Sequence, residues 1–212
     1  MISRQLLLFV PLMLCIAILS CCSAMRVLTH STTTDPSELA TGNYRIDPEH
    51  VFVTFKVDHF GFANYVGRFN EVDGALEFNA EAPEKSTLTI VIAAASVDTS
   101  NKFVDAQLKG PSFFNVENFP EIKFVSTEIE PVSKETARVT GDLILVGTSK
   151  TAVLNVVLNG AGTNPITLAE TIGFSANMEI KRSDFGLTAW LPAVGDGVML
   201  DIEAEFLRGK EP

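Results

Sequence analysis

Hydrophobic and polar residues alternate with a period of two along most of the chain from Tyr44 to Phe206. Val51, Val53, Phe55 and Val57 interleave with Phe52, Thr54, Lys56 and Asp58. Near the other end Val198, Leu200, Ile202, Ala204 and Phe206 interleave with Met199, Asp201, Glu203 and Glu205. Successive side chains on a strand point to opposite faces, so this period predicts strands with one buried and one wet face. Such stretches fall at Val51 to Asp58, Tyr65 to Asn79, Ser86 to Ala95, Glu121 to Glu130, Ala137 to Leu145, Thr151 to Gly160, Glu170 to Lys181 and Val198 to Leu207. The second is long and carries Gly67 and Gly74, places where a strand can bend; alternatively Glu71 to Gly74 is a turn, which makes nine segments. Half-buried strands repeated with polar turns are most economically satisfied by an antiparallel sheet closed on itself, because closure leaves no unpaired edge. The predicted fold is all-β, an eight-stranded antiparallel β-barrel.

Between the third and fourth strands, Thr99 to Phe119 breaks the alternation. This stretch reads as a short helix around Phe103 to Leu108 and then an irregular Gly110-Pro111 loop bearing Phe113, Phe114 and Phe119. In a barrel, such an aromatic excursion either plugs one end or lines a mouth.

The inward face of the alternation nominates Phe55, Val57, Leu76, Phe78, Leu88, Ile90, Ile92, Phe124, Leu143, Leu154, Val156, Phe174, Met178, Leu200 and Ile202 as the interior. Eight strands enclose either a solid plug of side chains or room for one small ligand, and the pattern alone leaves both open. Ala94, Ala176 and Ala204 on similar faces would leave space for a chain.

Residues 1–24 have the three-part layout of a secretory signal: Arg4, an apolar stretch from Leu6 to Leu19, and then Ser20-Cys21-Cys22-Ser23-Ala24. The stretch is 14 residues and contains Pro11, short of the ~20 residues that span a bilayer. Ile18-Leu19-Ser20-Cys21 resembles a bacterial lipobox with Cys21 as the lipidated residue; cleavage after Ala24 is the competing site. All three cysteines, Cys15, Cys21 and Cys22, lie in this leader, so the folded part is expected to carry no disulfide and no thiol chemistry. The expected compartment is the periplasm or beyond. Residues 25–42, with Thr29, Ser31, Thr32, Thr33, Thr34, Asp35, Pro36 and Ser37, read as a flexible tether, residues 43–207 as the barrel and residues 208–212 as a tail.

The chain of 212 residues carries a net charge of −10, which becomes −11 when the leader takes Arg4 away. That balance repels phosphate backbones and anionic lipid surfaces, so nucleic acid is not an expected partner. Membrane contact is expected only through an N-terminal lipid anchor. Candidate chemistry is sparse. His50 and His59 are nine residues apart on one extended segment and point to opposite faces, and no cysteine or HExxH-like pair supports a metal site. Asp98, Asn101 and Asp105 suit turn and helix-cap groups, with contact to a ligand headgroup as the other reading. Arg182 and Asp184, paired with each other or with a loop, suit a structural latch more than ligand capture. Trp190, between Gly186 and Pro192 and followed by Gly195 and Gly197, suits a loop at a barrel end, as a gate or as a plug.

Specific residues then point to a family. Tyr44-Arg45-Ile46-Asp47-Pro48-Glu49-His50, Val57-Asp58-His59-Phe60-Gly61, Val66-Gly67-Arg68-Phe69 and Ala95-Ser96-Val97-Asp98-Thr99-Ser100-Asn101 are followed in order by four more such stretches. These are Ser112 to Pro120, Ile122 to Thr127, Val139-Thr140-Gly141-Asp142-Leu143 and Lys181-Arg182-Ser183-Asp184-Phe185-Gly186. Together they resemble the YceI-like family of bacterial periplasmic lipid- and polyisoprenoid-binding proteins across Asn43 to Leu207. The resemblance implies a lipocalin-like barrel with an elongated apolar cavity that holds a long-chain amphiphile, tail inside and head near the mouth, and implies no catalysis. The chain departs from the family where an arginine and a histidine give way to Val104 and Gln107, where a histidine-glycine-valine-threonine-lysine-proline pattern becomes Val146 to Thr151, and where a serine becomes Val51.

The functional expectation is non-enzymatic sequestration or transport of a polyisoprenoid, quinone or fatty-acyl derivative. No cofactor is expected beyond that ligand. His59, Asn101, Asp105, Arg182 and Trp190 are the candidates for the mouth. Burying a chain of about twenty carbons contributes on the order of 16 kcal/mol gross, while a charge-assisted headgroup bond adds roughly 1.5–3 kcal/mol. Ordering and association costs offset much of the former. Lost polar contacts therefore alter which lipid is held more than whether one is held. The rivals are a solid-core structural or partner-binding lipoprotein and an enzyme acting on an isoprenoid lipid. The oligomeric state stays open, a homodimer included.

Overall fold

In the computed structural model, which describes residues 26–209, ten strand segments form one antiparallel sheet that closes on itself. They are β1 (Gly42–His59), β2 (Ala63–Phe69), β3 (Val72–Phe78), β4 (Thr87–Ala93), β5 (Val97–Asp98), β6 (Glu121–Pro131), β7 (Thr136–Leu145), β8 (Thr148–Thr163), β9 (Glu170–Lys181) and β10 (Val194–Arg208). Helix α1 (Lys102–Lys109) fills the excursion between β5 and β6. The order is β10-β9-β8-β7-β6-β4-β3-β1, and pairing of β1 with β10 from Val51↔Ala204 to Val57↔Val198 closes the ring.

Ten segments trace eight staves. β2 and β3 both pair along the same side of β1, β2 opposite Val53 to His59 and β3 opposite Gly42 to Arg45. They are one strand interrupted at Asn70 and Glu71. The long second strand of the sequence reading is therefore broken, and the break lies three residues before Gly74 rather than at a glycine. β4 continues across a 3₁₀ turn (Ala94–Ser96) into β5, which pairs with β2.

β1 begins at Gly42, nine residues before the expected start. Between Ile46↔Phe206 and Val51↔Ala204, residues 47–50 stand opposite Glu205 alone. This bulge absorbs Pro48, which has no N–H for a ladder, and breaks the alternation that marks the rest of the strand. On the outer wall it brings Asp47, His50 and Glu205 together, with His50 Nδ1 2.9 Å from Asp47 Oδ2. That hydrogen bond raises the His50 pKa, and His50 lies away from the interior.

Alternation places Val53, Leu76, Phe124, Leu143, Leu154, Met178, Ala204 and Phe206 inside, while Lys56 pairs with Asp201 outside at 2.6 Å. Each aliphatic or aromatic side chain withdrawn from water contributes about 1.5–3 kcal/mol. β10 runs through Arg208, so the expected tail starts one residue later; Arg208 Nη1 donates to Glu170 Oε2 at 2.8 Å.

Part of the expected tether is folded. Thr33 forms a two-bond antiparallel bridge with Ala161, at 2.9 and 2.8 Å. Asp35 caps a 3₁₀ turn (Pro36–Glu38), and Leu39 is buried in the core. Thr34 Oγ1 donates to Glu135 Oε1 at 2.7 Å, and Lys134 Nζ donates to Asp35 Oδ2 at 3.1 Å. The physical reason is that Leu39 supplies apolar surface to an otherwise open barrel end. An Asp-Pro pair is also a helix-start signal that the Thr- and Ser-rich composition conceals. The leader, Cys21 included, lies outside the described residues.

Candidate functional site

The barrel is hollow. A cavity of about 1150 Å³ runs between its two ends, above the range of about 300–1,000 Å³ common for small-molecule sites. All fifteen residues nominated for the interior line it: Phe55, Val57, Leu76, Phe78, Leu88, Ile90, Ile92, Phe124, Leu143, Leu154, Val156, Phe174, Met178, Leu200 and Ile202. Glycines give the aromatic rings their space. A Cβ on Gly67 would lie 2.3 Å from Phe55 Cζ, and one on Gly141 would lie 2.5 Å from Phe124 Cζ. Each ring lies across the backbone of the neighbouring strand instead of standing upright in the lumen, which keeps the interior open.

At one end the cavity meets the β1–β2 turn, α1 and the loop from Arg182 to Ala193. Asn101 caps α1, its side-chain oxygen accepting from Phe103 N at 3.1 Å and Val104 N at 3.4 Å. The helix turns Val104 and Leu108 toward the cavity. Phe113 and Phe114 follow, Phe114 tilted against Phe69 with ring centroids 5.6 Å apart and Phe113 edge-on at 4.7 Å to Trp190. His59 and Tyr65 supply polar atoms there, with their rings 5.8 Å apart. The Tyr65 hydroxyl reaches Thr99 Oγ1 at 3.5 Å, and Thr99 Oγ1 donates to Asp105 Oδ1 at 2.7 Å.

The opposite end is spanned by the strap from Thr33 to Leu39, whose Asp35, Pro36, Ser37 and Leu39 line the cavity beside Ser133, Lys134 and Glu135 of the β6–β7 turn. The hydrogen bonds from Ser37 and the contact with Lys134 hold the Asp35 carboxyl down to about 2. Sequence reasoning missed this end altogether, along with Phe60, Tyr65, Leu187 and Leu191 at the other. The turn residues interrupt the strand period, so alternation carries no signal for them.

Of the five mouth candidates, His59 and Trp190 line the cavity, Trp190 with a left-handed backbone (φ 64°). Asn101 and Asp105 are not among the lining residues; Asn101 Oδ1 caps the helix, and Asp105 Oδ1 accepts from Thr99 N and Thr99 Oγ1. Arg182 borders the cavity, yet its guanidinium is committed. Nε donates to Gly195 O at 2.7 Å, Nη1 to Leu187 O at 2.7 Å and Ala189 O at 2.8 Å, and Nη2 to Val194 O at 2.9 Å. Burial lowers its pKa while Asp196 opposes the shift. These four bonds tie Arg182 to the loop, and none of them runs to Asp184. Asp196 instead accepts from Ser183 N at 2.9 Å and Ser183 Oγ at 2.8 Å.

Comparison with known proteins agrees with this architecture. The YceI-like domain model matches residues 44–206. A UPF0312 protein of Photorhabdus laumondii is 35% identical over 176 residues, covering 82% of this chain and 91% of that protein. One from Serratia proteamaculans is 36% identical over 170 residues, covering 79% and 88%. Among solved structures, a Campylobacter jejuni YCEI protein superposes with a TM-score of 0.64 at 31% identity, covering 72% of this chain and 90% of that one. BcnA of Burkholderia cenocepacia superposes with a TM-score of 0.69 at 23% identity, covering 76% and 98%. A polyisoprenoid binding domain from Saccharophagus degradans gives 0.59 at 15% identity, covering 80% and 100%; the last two show likeness of fold alone.

Proposed function

Because the chain belongs to the YceI-like family, we propose that it binds one long-chain amphiphile with the tail inside the barrel, and that it carries or sequesters this guest without chemical change. The observation that carries this reading is the continuous apolar cavity of about 1150 Å³. Tail burial at about 0.8 kcal/mol per methylene supplies the driving force. The polyisoprenoid binding domain from Saccharophagus degradans shares this fold and supports an isoprenoid among the candidate guests.

The head is a small neutral group. Among the cavity-lining residues at the α1 end, His59 and Tyr65 supply polar atoms, Arg182 is spent on four carbonyl oxygens and Lys123 is paired with Glu121 at 2.6 Å. A diphosphate needs charge-assisted donors, whereas a hydroxyl or quinone carbonyl needs one hydrogen bond. Displacement of an apolar fluorophore tests both parts. Prenyl alcohols and quinones displace it and prenyl diphosphates compete poorly. No fluorophore uptake, and no amphiphile in native mass spectra of protein from its own host, would overturn the reading.

We also propose export and lipidation at Cys21, which would place the barrel at a membrane in the periplasm. Metabolic labelling with a palmitate analogue marks the wild type and not Cys21→Ala. An unlabelled wild type, processed after Ala24, removes the anchor.

A further inference from the structure

The α1 end of the barrel carries its own apolar surface, separate from the lumen. Phe62 at the tip of the β1–β2 turn is 90% exposed, Phe103 on the outer side of α1 72%, Phe60 56% and Trp190 48%. The topology brings them to one rim. Phe60 N–H donates to Ala193 O at 2.9 Å, which joins the β1–β2 turn to the Trp190 loop, and Trp190 meets Phe113 of the α1 excursion. Phe60 and Trp190 both hold left-handed backbones, at φ 56° and 64°, a conformation that bulky residues rarely adopt. Exposed aromatics gathered on loops at a cavity mouth are not the scattered apolar residues of an ordinary surface.

Charge selects what covers them. Across the whole chain the net charge is −10, whereas at this rim Lys102 and Lys109 of α1 stand with Asp58 of the β1–β2 turn and Glu117 of the α1 excursion, a balance that suits a zwitterionic surface. Lys102 and Lys109 flank Phe103 at the two ends of α1 and form no ion pair among the described residues. The one carboxylate of α1, Asp105, turns back onto Thr99, and Asp98 behind it is engaged by Arg68 at 3.2 Å. Glu38, Glu81, Glu84, Glu128, Glu130, Glu135 and Glu170 lie in the strap, the β3–β4 turn, the β6–β7 hairpin and the start of β9, the elements of the opposite end. A short helix with one face on the cavity, a phenylalanine outward and lysines at its ends fits the headgroup layer of a bilayer, where Trp and Phe also sit favourably.

We propose that this rim docks on the interface of a zwitterionic phospholipid bilayer, so that a guest passes between membrane and lumen past Trp190 without crossing water. The inference rests on the proposed lumenal guest and names where that guest is exchanged. The bulk charge, which by itself restricts membrane contact to an anchor, is overridden by the local distribution.

Trp190 is the single tryptophan and stands where the rim meets the lumen, so its emission reports this end of the barrel, and a paired variant of the rim separates rim contact from lumenal uptake. The full chain is mixed with phosphatidylcholine vesicles containing bromine-labelled acyl chains. The proposal expects blue-shifted, quenched Trp190 emission, and a Phe62→Ser/Phe103→Ser variant, whose changed residues lie outside the lumen, expects partitioning to weaken by at least about tenfold when read from the quenching. That variant retains uptake of the apolar fluorophore, which also shows that it is folded. Unquenched Trp190 in a wild type that takes up fluorophore overturns docking and leaves the lumenal reading standing. A wild type that takes up no fluorophore removes the guest and the proposal together. An emission shift produced by raising protein concentration without lipid makes a second copy the occupant and also overturns it.

Discussion

Arg182 Nη1 donates to the carbonyl oxygen of Ala189 at 2.8 Å, so a buried cation inside the barrel end holds the peptide immediately before Trp190. The same guanidinium satisfies Gly195, Leu187 and Val194, which ties the start of β10 to the mouth loop. Arg182→Met leaves four carbonyl oxygens without this donor. The expected loss is roughly 3–5 kcal/mol in urea denaturation, with a shifted Trp190 emission in the native baseline. Arg182→Lys recovers only part, because an ammonium lacks the planar fork that reaches all four. A loss below about 1 kcal/mol in the methionine variant would contradict the latch.

The close approach of Phe55 to Gly67 makes a second prediction. A Cβ at Gly67 meets Phe55 Cζ at 2.3 Å, so Gly67→Ala forces the ring off the β2 backbone and toward the lumen. Overpacking of this kind costs about 1–3 kcal/mol, and fluorophore capacity falls with it. Adding Phe55→Leu relieves the clash, so the double variant is more stable than the two single losses sum to. Additive losses would show that the ring and the glycine are independent.

Ala176 on β9 lines the cavity and pairs with Ile202 and Val156 across the neighbouring strands. Ala176→Phe fills lumen instead of displacing packed atoms. Its thermal midpoint is expected to match or exceed the wild type, as for other cavity-filling changes, while affinity for an apolar fluorophore falls by at least about tenfold. Unchanged affinity would place the guest elsewhere.

The strap responds to acid. Asp35 titrates at about 2 in the fold, below the ordinary carboxylate value near 3.9. A depressed folded pKa means that its stabilisation is complete above about pH 4 and is lost as pH falls through about 2. The side-chain carboxyl ¹³C shift of Asp35 is expected to show that midpoint, and Lys134→Met to move it upward. A wild-type midpoint near 3.9 would mean that the strap is not held by these contacts.

How much of this was legible in the chain follows from the range of each interaction. The period of two identified the staves and all fifteen nominated lining residues, since facing in or out is decided locally by the pleat. It lost β1 before Val51 because the bulge at residues 47–50 is recognisable only opposite Glu205, which is 155 residues away from His50. Asn101, Asp105 and Arg182 were visible as unusual residues. Their roles depended on which backbone amides and carbonyls the fold brought within 3.5 Å.

By itself, then, the sequence determined the strands, the apolar face and the family, because these depend on side-chain chemistry at short spacing. Only the tertiary structure decided that the barrel is hollow, that Thr33 to Leu39 spans one end and that four exposed aromatics gather at the other beside α1. Those features depend on distances across a closed sheet, which are set by strand number, register and the glycines that let Phe55 and Phe124 lie flat against it.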